Sequence, residues 1–163
     1  MIKKPAESKG LLASRVRDYM TPEPQSLGAR QTLLDAVLMI RMAPLRHIPI
    51  LEDGRLVGVL SDRDVHRLAP SLLIPLSPQE YNRVFADTPL EKVMTRNPLT
   101  IHPDAPLADA VNLLVTERLG CLPVLDEGKL VGIITVSDML RALYDLVSLT
   151  ASSSPSSSPA SSK

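Results

Sequence analysis

The sequence predicts an α+β protein assembled from two copies of one unit of roughly 50 residues. Three observations carry that prediction. The phrase "GVLSDRD" at residues 58–64 returns 74 positions later as "GIITVSD" at residues 132–138. Residues 16–65 align without a gap on residues 90–139, with 15 identical positions. Within each copy, apolar residues recur first at helical spacing and then in two short aliphatic runs divided by a turn signal.

Taken in order, residues 1–12 are expected to be flexible and 13–68 to form the first repeat. Its helix is "TLLDAVLMIRMA", where Leu33, Val37 and Ile40 make one buried stripe. "HIPIL" reads as a short strand, and its proline points to a sheet edge. "EDG" turns the chain with Gly54 free to take positive φ, "RLVGVL" is the second strand, and a closing helix starts at the hydroxyl residue. Residues 69–86 form a proline-rich linker with a short helix: Ser77 caps it, Pro78 opens the first turn and Glu80 answers three residues on. The second repeat, 87–147, repeats the order. Leu107, Val111 and Leu114 form its stripe, Pro106 suits the first helical turn, and "CLPVL", "DEG" with Gly128 and "KLVGII" follow. Met20, Met39, Met42 and Met94 are expected to fill core gaps. Residues 148–163, with the run "SSSPSSSPASSK", have no apolar period and are expected to be disordered, and the part from Thr150 onward dispensable. A single unit buries little core, whereas two packed sheet to sheet bury enough.

Composition narrows the function. Eighteen basic residues balance eighteen acidic ones, so no net field draws nucleic acid or an anionic membrane. One Phe, three Tyr and no Trp leave few rings on which to stack bases. The start, "MIKKPAESKG", has no apolar run behind its basic pair, and no stretch approaches the ~18 residues of a membrane span. Cys121 is the sole cysteine, which excludes an internal disulfide. A cytoplasmic protein is expected. His47, His66 and His102 lie far apart without carboxylates at ligand spacing, so no metal site is expected. No Ser-His-Asp or Cys-His arrangement emerges either. Cys121, next to a strand proline, reads as a small core residue.

The repeated phrase supports two readings. Ser61 with Asp64, and Thr135 with Asp138, are capping boxes that satisfy backbone N–H groups at a helix start. The same geometry also suits a nucleotide. Free N–H groups and the positive end of the helix dipole favour a phosphate, and the cap hydroxyl can donate to it. The aspartate can accept from both ribose hydroxyls, and Gly58 and Gly132 let a ligand approach the strand. The duplication raises the nucleotide reading.

At these residues the chain resembles a tandem pair of CBS domains, the modules named after cystathionine β-synthase. "VRDYMTPEP" and "LEKVMTRNP" carry the likeness at the repeat starts, "RHIPILEDGRLVGVLSDRD" and "GCLPVLDEGKLVGIITVSD" at the ends, and the Asp-Ala pairs at 35–36 and 109–110 between. The resemblance spans about residues 13–147. It implies an α/β-type CBS fold, in which two β-α-β-β-α repeats pack as a pseudo-twofold pair with two clefts. It also implies a disc-like dimer of such pairs, and adenosine-containing ligands: AMP, ADP or ATP, with Mg2+ carried alongside ATP. Phosphate falls to Ser61 and Thr135 and ribose to Asp64 and Asp138. Adenine is lined by Arg46 and His47 in one copy and by Gly120 and Cys121 in the other. Arg46, His47 and Arg63 give the first cleft more positive charge than Gly120, Cys121 and Ser137 give the second, although Arg118, Lys129 and Arg141 are candidates to reach over.

The expected function is regulatory, not enzymatic: binding of an adenine nucleotide alters the behaviour of an unidentified protein partner. The competing expectation is an interaction module whose clefts stay empty, both boxes serving as caps. A homodimer is expected through the closing helix, where Met139, Leu143 and Leu146 can face a partner.

Overall fold

Each repeat makes the expected helix, hairpin and closing helix, yet neither keeps its own first strand. The computed structural model describes residues 13–43, 45–68 and 77–152; residues 1–12, residue 44, the linker's first part (69–76) and the tail beyond 152 lie outside. The first repeat comprises α1 (Val16–Tyr19), β1 (Thr21–Pro22), β2 (Leu27–Gly28), α2 (Leu33–Met42), β3 (His47–Glu52), β4 (Arg55–Ser61) and α3 (Asp62–Leu68). After α4 (Pro78–Asp87) and a 3-10 turn at Leu90–Lys92, the second comprises β5 (Thr95–Arg96), α5 (Leu107–Thr116), β6 (Cys121–Asp126), β7 (Lys129–Thr135) and α6 (Val136–Ser152).

The four-stranded sheet runs β2-β3-β4-β5 and the three-stranded sheet β1-β7-β6. β1 therefore joins the second repeat's sheet and β5 the first's. An isolated parallel bridge from Ile101 to Val124 completes the symmetry, matching the parallel pairing of β2 with β3. This exchange explains Gly58 and Gly132, which were expected to admit a ligand. A Cβ on Gly132 would lie 2.5 Å from Met20 Sδ, and one on Gly58 would collide with Met94 Sδ. Each glycine makes room for the methionine that leads the other repeat's strand across it.

Both hairpins have the two-residue loop expected. Glu52 pairs with Arg55 and Asp126 with Lys129, and Asp53 and Gly54 both take positive φ (48° and 76°), as do Glu127 and Gly128. Two successive left-handed residues match the strand twist. The two strand prolines differ: Pro123 lies in β6, an edge strand of its sheet as expected, and Pro49 departs from expectation. Pro49 lies in β3, inside its sheet and not at an edge, fully buried. It is tolerated because β2 pairs only with Ile50 and Leu51, so the proline sits just outside the span that needs a donor.

Each repeat has its own core. Leu33, Ala36, Ile48, Ile50 and Leu60 centre one, with Leu90 and Met94 of the second repeat and Phe85 of α4. Leu107, Ala110, Leu114, Leu122, Val124 and Ile134 centre the other, with Val16 of the first repeat. Val59, Cys121 and Ile133 join where the two sheets meet.

Five expectations need correction. Val111 is exposed, because Ala110 takes the buried position between Leu107 and Leu114. Pro106 is the N-cap of α5, one residue before its first turn. Met42 is 87% exposed and fills no core gap. Lys129 starts β7, at the far end of the strand from Thr135, and cannot reach over. Finally, α6 runs to Ser152, past the expected boundary at 147. In the linker, α4 has the expected box, with Ser77 and Glu80 capping each other's backbone.

Candidate functional site

Strand pairing brings the predicted residues together in two groups. In the first repeat, His47 opens β3 directly across from Ser61, the last residue of β4. Asp62 N–H donates to Arg46 C=O (3.0 Å), so the start of one strand is fastened to the start of α3. In the second, Cys121 pairs with Thr135, and Val136 N–H donates to Gly120 C=O (3.2 Å), fastening the start of α6. Arg46, His47, Ser61, Arg63 and Asp64 thus share one end of the first sheet, and Gly120, Cys121, Thr135 and Asp138 the same end of the second.

Each aspartate closes a box. Asp64 Oδ2 accepts from Ser61 N–H (3.1 Å) and from its hydroxyl (2.5 Å), while Ser61 Oγ accepts from Asp64 N–H (3.1 Å). Asp138 Oδ2 accepts from Thr135 N–H (2.9 Å) and hydroxyl (2.7 Å), and Thr135 Oγ1 accepts from Asp138 N–H (3.4 Å). The two hydroxyls have one proton each, and both protons point at carboxylate. In this arrangement they can accept from a ligand but not donate to phosphate, so the expected donation requires the hydroxyl to leave the box.

The groups differ electrostatically. Arg46 and Arg63 are exposed at the first, and Asp62 joins them, a residue the sequence reading passed over. His47 is held below its usual 6.5, first by burial, with Arg46 and Arg63 adding to the effect and Asp62 and Asp64 opposing it. At the second, Asp138 has a side chain only 5% exposed, and its Oδ1 lies 3.5 Å from Arg141 NH1. The i,i+3 spacing of Asp138 and Arg141 on one helix was the readable signal for that pair. Burial pushes the Cys121 thiol up to about 12, so it is neither thiolate nor nucleophile at neutral pH.

The groups also touch each other. The His47 ring packs against Gly120, whose absent Cβ would stand 3.0 Å from His47 Cε1. His47 Nδ1 is buried and, among the described residues, has no hydrogen-bond partner. Two shallow surface hollows lie elsewhere: about 250 Å3 lined by Gly28, Arg30, Glu52 and Asp53 among others, and about 210 Å3 lined by Ser14, Arg15 and Asp104 among others. Neither includes a residue of the boxes. Among the described residues, no cluster of three His, Cys, Asp or Glu could hold a metal ion, and no helix is long and apolar enough to cross a membrane.

Comparison with known proteins adds three facts. The CBS domain family matches residues 16–71 and 90–145. The CBS domain-containing protein YhcV of Bacillus subtilis is 30% identical over 126 residues, covering 77% of this chain and 83% of that protein. Among solved structures, the protein AcuB from Vibrio cholerae superposes with a TM-score of 0.70 at 32% identity, covering 88% of this chain and all of that one. CBSX2, a CBS-pair protein of Arabidopsis thaliana, crystallised in complex with AMP, gives 0.67 at 28% identity over 82% of this chain and 98% of that one.

Proposed function

The chain belongs to the CBS domain family, with two copies of the domain in tandem, and on that premise we propose that it is a regulatory module, not an enzyme, that binds adenine nucleotides (AMP, ADP or ATP) and alters a protein partner in response. The observation that carries the reading is the duplicated hydroxyl–aspartate box at a helix start, each with the opening residues of the neighbouring strand fastened beside it. Such an end offers backbone N–H groups and a dipole to phosphate, and a carboxylate to ribose. A relative of the same fold crystallises with AMP, which supports the ligand class.

The first cleft suits the more charged nucleotides. Arg46 and Arg63 are exposed there, whereas Asp138 of the second is buried behind Arg141. Phosphate entering the first cleft meets two guanidiniums already in water, and ribose entering the second must first displace an ion pair. Cytoplasmic placement and a homodimer belong to the same reading.

The competing reading, an interaction module with both boxes as caps, draws on a specific observation: both aspartates already have their Oδ2 engaged by backbone and hydroxyl. Calorimetric titration with AMP, ADP, ATP, NAD and S-adenosylmethionine separates the two. Saturable binding of AMP, ADP or ATP at micromolar concentration is expected. No heat with any of them up to millimolar concentration leaves the caps as the sole role.

A further inference from the structure

We propose that His47 is a positioning residue that couples the two clefts, so that a nucleotide held in the Ser61/Asp64 cleft changes affinity in the Thr135/Asp138 cleft; the proposal rests on the nucleotide reading above. His47 and Gly120 belong to different repeats and open different sheets, yet the ring of one fills the space where the other lacks a Cβ. On its own side, His47 faces Ser61 across the strand pair, beside the bond from Asp62 N–H to Arg46 C=O. On the far side, Gly120 C=O holds Val136 N–H, the first residue of α6, directly after Thr135. A shift of the ring therefore passes through one van der Waals contact and one hydrogen bond to the start of the second box.

Two further features fit a moving part. Nδ1 is buried and, among the described residues, has no hydrogen-bond partner, so turning the ring breaks no hydrogen bond at that atom. A ligand donor reaching Nδ1 would satisfy it, which gives occupied and empty states different free energies, as coupling requires. The device is also one-sided. The repeat places Cys121 opposite Thr135 where His47 stands opposite Ser61, and Cys121 is buried against Val59 and Ile133. The charges facing His47 come from Arg46, just before β3, and from α3 (Asp62, Arg63, Asp64), while the second repeat sets the uncharged Gly120 against it.

The test uses the full chain with Asp138→Asn, which keeps the box but offers an N–H2 where ribose needs an acceptor, so that AMP titrates the first cleft alone. Adding Gly120→Ala in the second repeat drives a methyl into the ring, and AMP affinity at the first cleft should fall by about fivefold or more. In a His47→Ala background the same substitution should change it by less than about twofold. Equal loss with and without His47 overturns the coupling. If the Asp138→Asn chain takes no AMP, the contact is tested without ligand, and the nucleotide reading fails only if the parent chain takes none either. As pH falls and the His47 ring protonates, the Val136 and Asp138 amide resonances should shift with the same midpoint as His47 Cε1–H, and His47→Ala should abolish that step. Amides that ignore the ring's titration overturn the coupling whether or not any nucleotide binds.

Discussion

Asp64 and Asp138 commit one carboxylate oxygen to the same three-bond box and differ in what surrounds the other. Asp64 is half-buried and, among the described residues, has no arginine paired with its carboxylate, so Asp64→Glu has room for its extra methylene, and glutamate suits a capping box. The melting temperature should hold, while AMP affinity at the first cleft falls by roughly ten- to a hundredfold, the cost of a misplaced charged hydrogen bond; titration calorimetry beside a thermal melt reads both. At Asp138, 5% exposed and paired with Arg141, the same change is overpacked and should lower the melting temperature as well. His47 makes a pH prediction. Its folded pKa lies below the unfolded 6.5, so in the window beneath 6.5 the unfolded chain binds more protons. The stability contributed by the neutral ring is fully present above pH 6.5 and is lost as pH falls through the folded value. Thermal melts of His47→Gln should therefore decline less than the parent's between pH 7 and 5, and parallel curves would contradict the burial. For Cys121, with its thiol near 12, iodoacetamide at pH 8 should leave the native chain unmodified and label it fully once unfolded, as mass spectrometry will report.

At the scale of elements, the crossing strands dominate. Met20 and Met94 lead β1 and β5 over Gly132 and Gly58 of the opposite sheet, so a methyl at either glycine meets sulfur. Gly132→Ala should cost about 1–3 kcal/mol, a typical overpacking penalty, and appear as a lower urea midpoint. Pairing it with Met20→Ala should restore part of the loss, because the two share one space; strictly additive losses would show that they do not. The hairpins, the Ser77 box and the box hydroxyls were legible in the sequence because a turn or a cap is specified by residues within four positions. Val111 and Pro106 were misread because a helical stripe gives a face only to within one neighbour. Which of Ala110 and Val111 points inward depends on the sheet beneath.

At the scale of the molecule, α6 and the helix beside it carry an apolar surface no core uses. Val136, Leu140, Leu143, Tyr144 and Val147 are all exposed on α6, as are Val111 and Val115 on α5. Met139, expected at a partner interface, instead packs on its own core, whereas Leu143 and Leu146 are exposed as expected. A second copy of the chain covering this face should make the parent a dimer by light scattering at micromolar concentration, and Leu140→Glu with Tyr144→Lys a folded monomer. A monomeric parent would refute that assignment.

The sequence by itself determined the duplication, the α+β class, the turns at Gly54 and Gly128 and the two boxes, because each is written in local spacing that repeats after 74 residues. Only the tertiary structure decided that each repeat lends its first strand to the other, that Gly58 and Gly132 exist for methionines, and that His47 leans on Gly120. Those contacts join residues 36 to 112 positions apart. A two-residue strand has no period to read, and a glycine's missing Cβ does not say what fills its place.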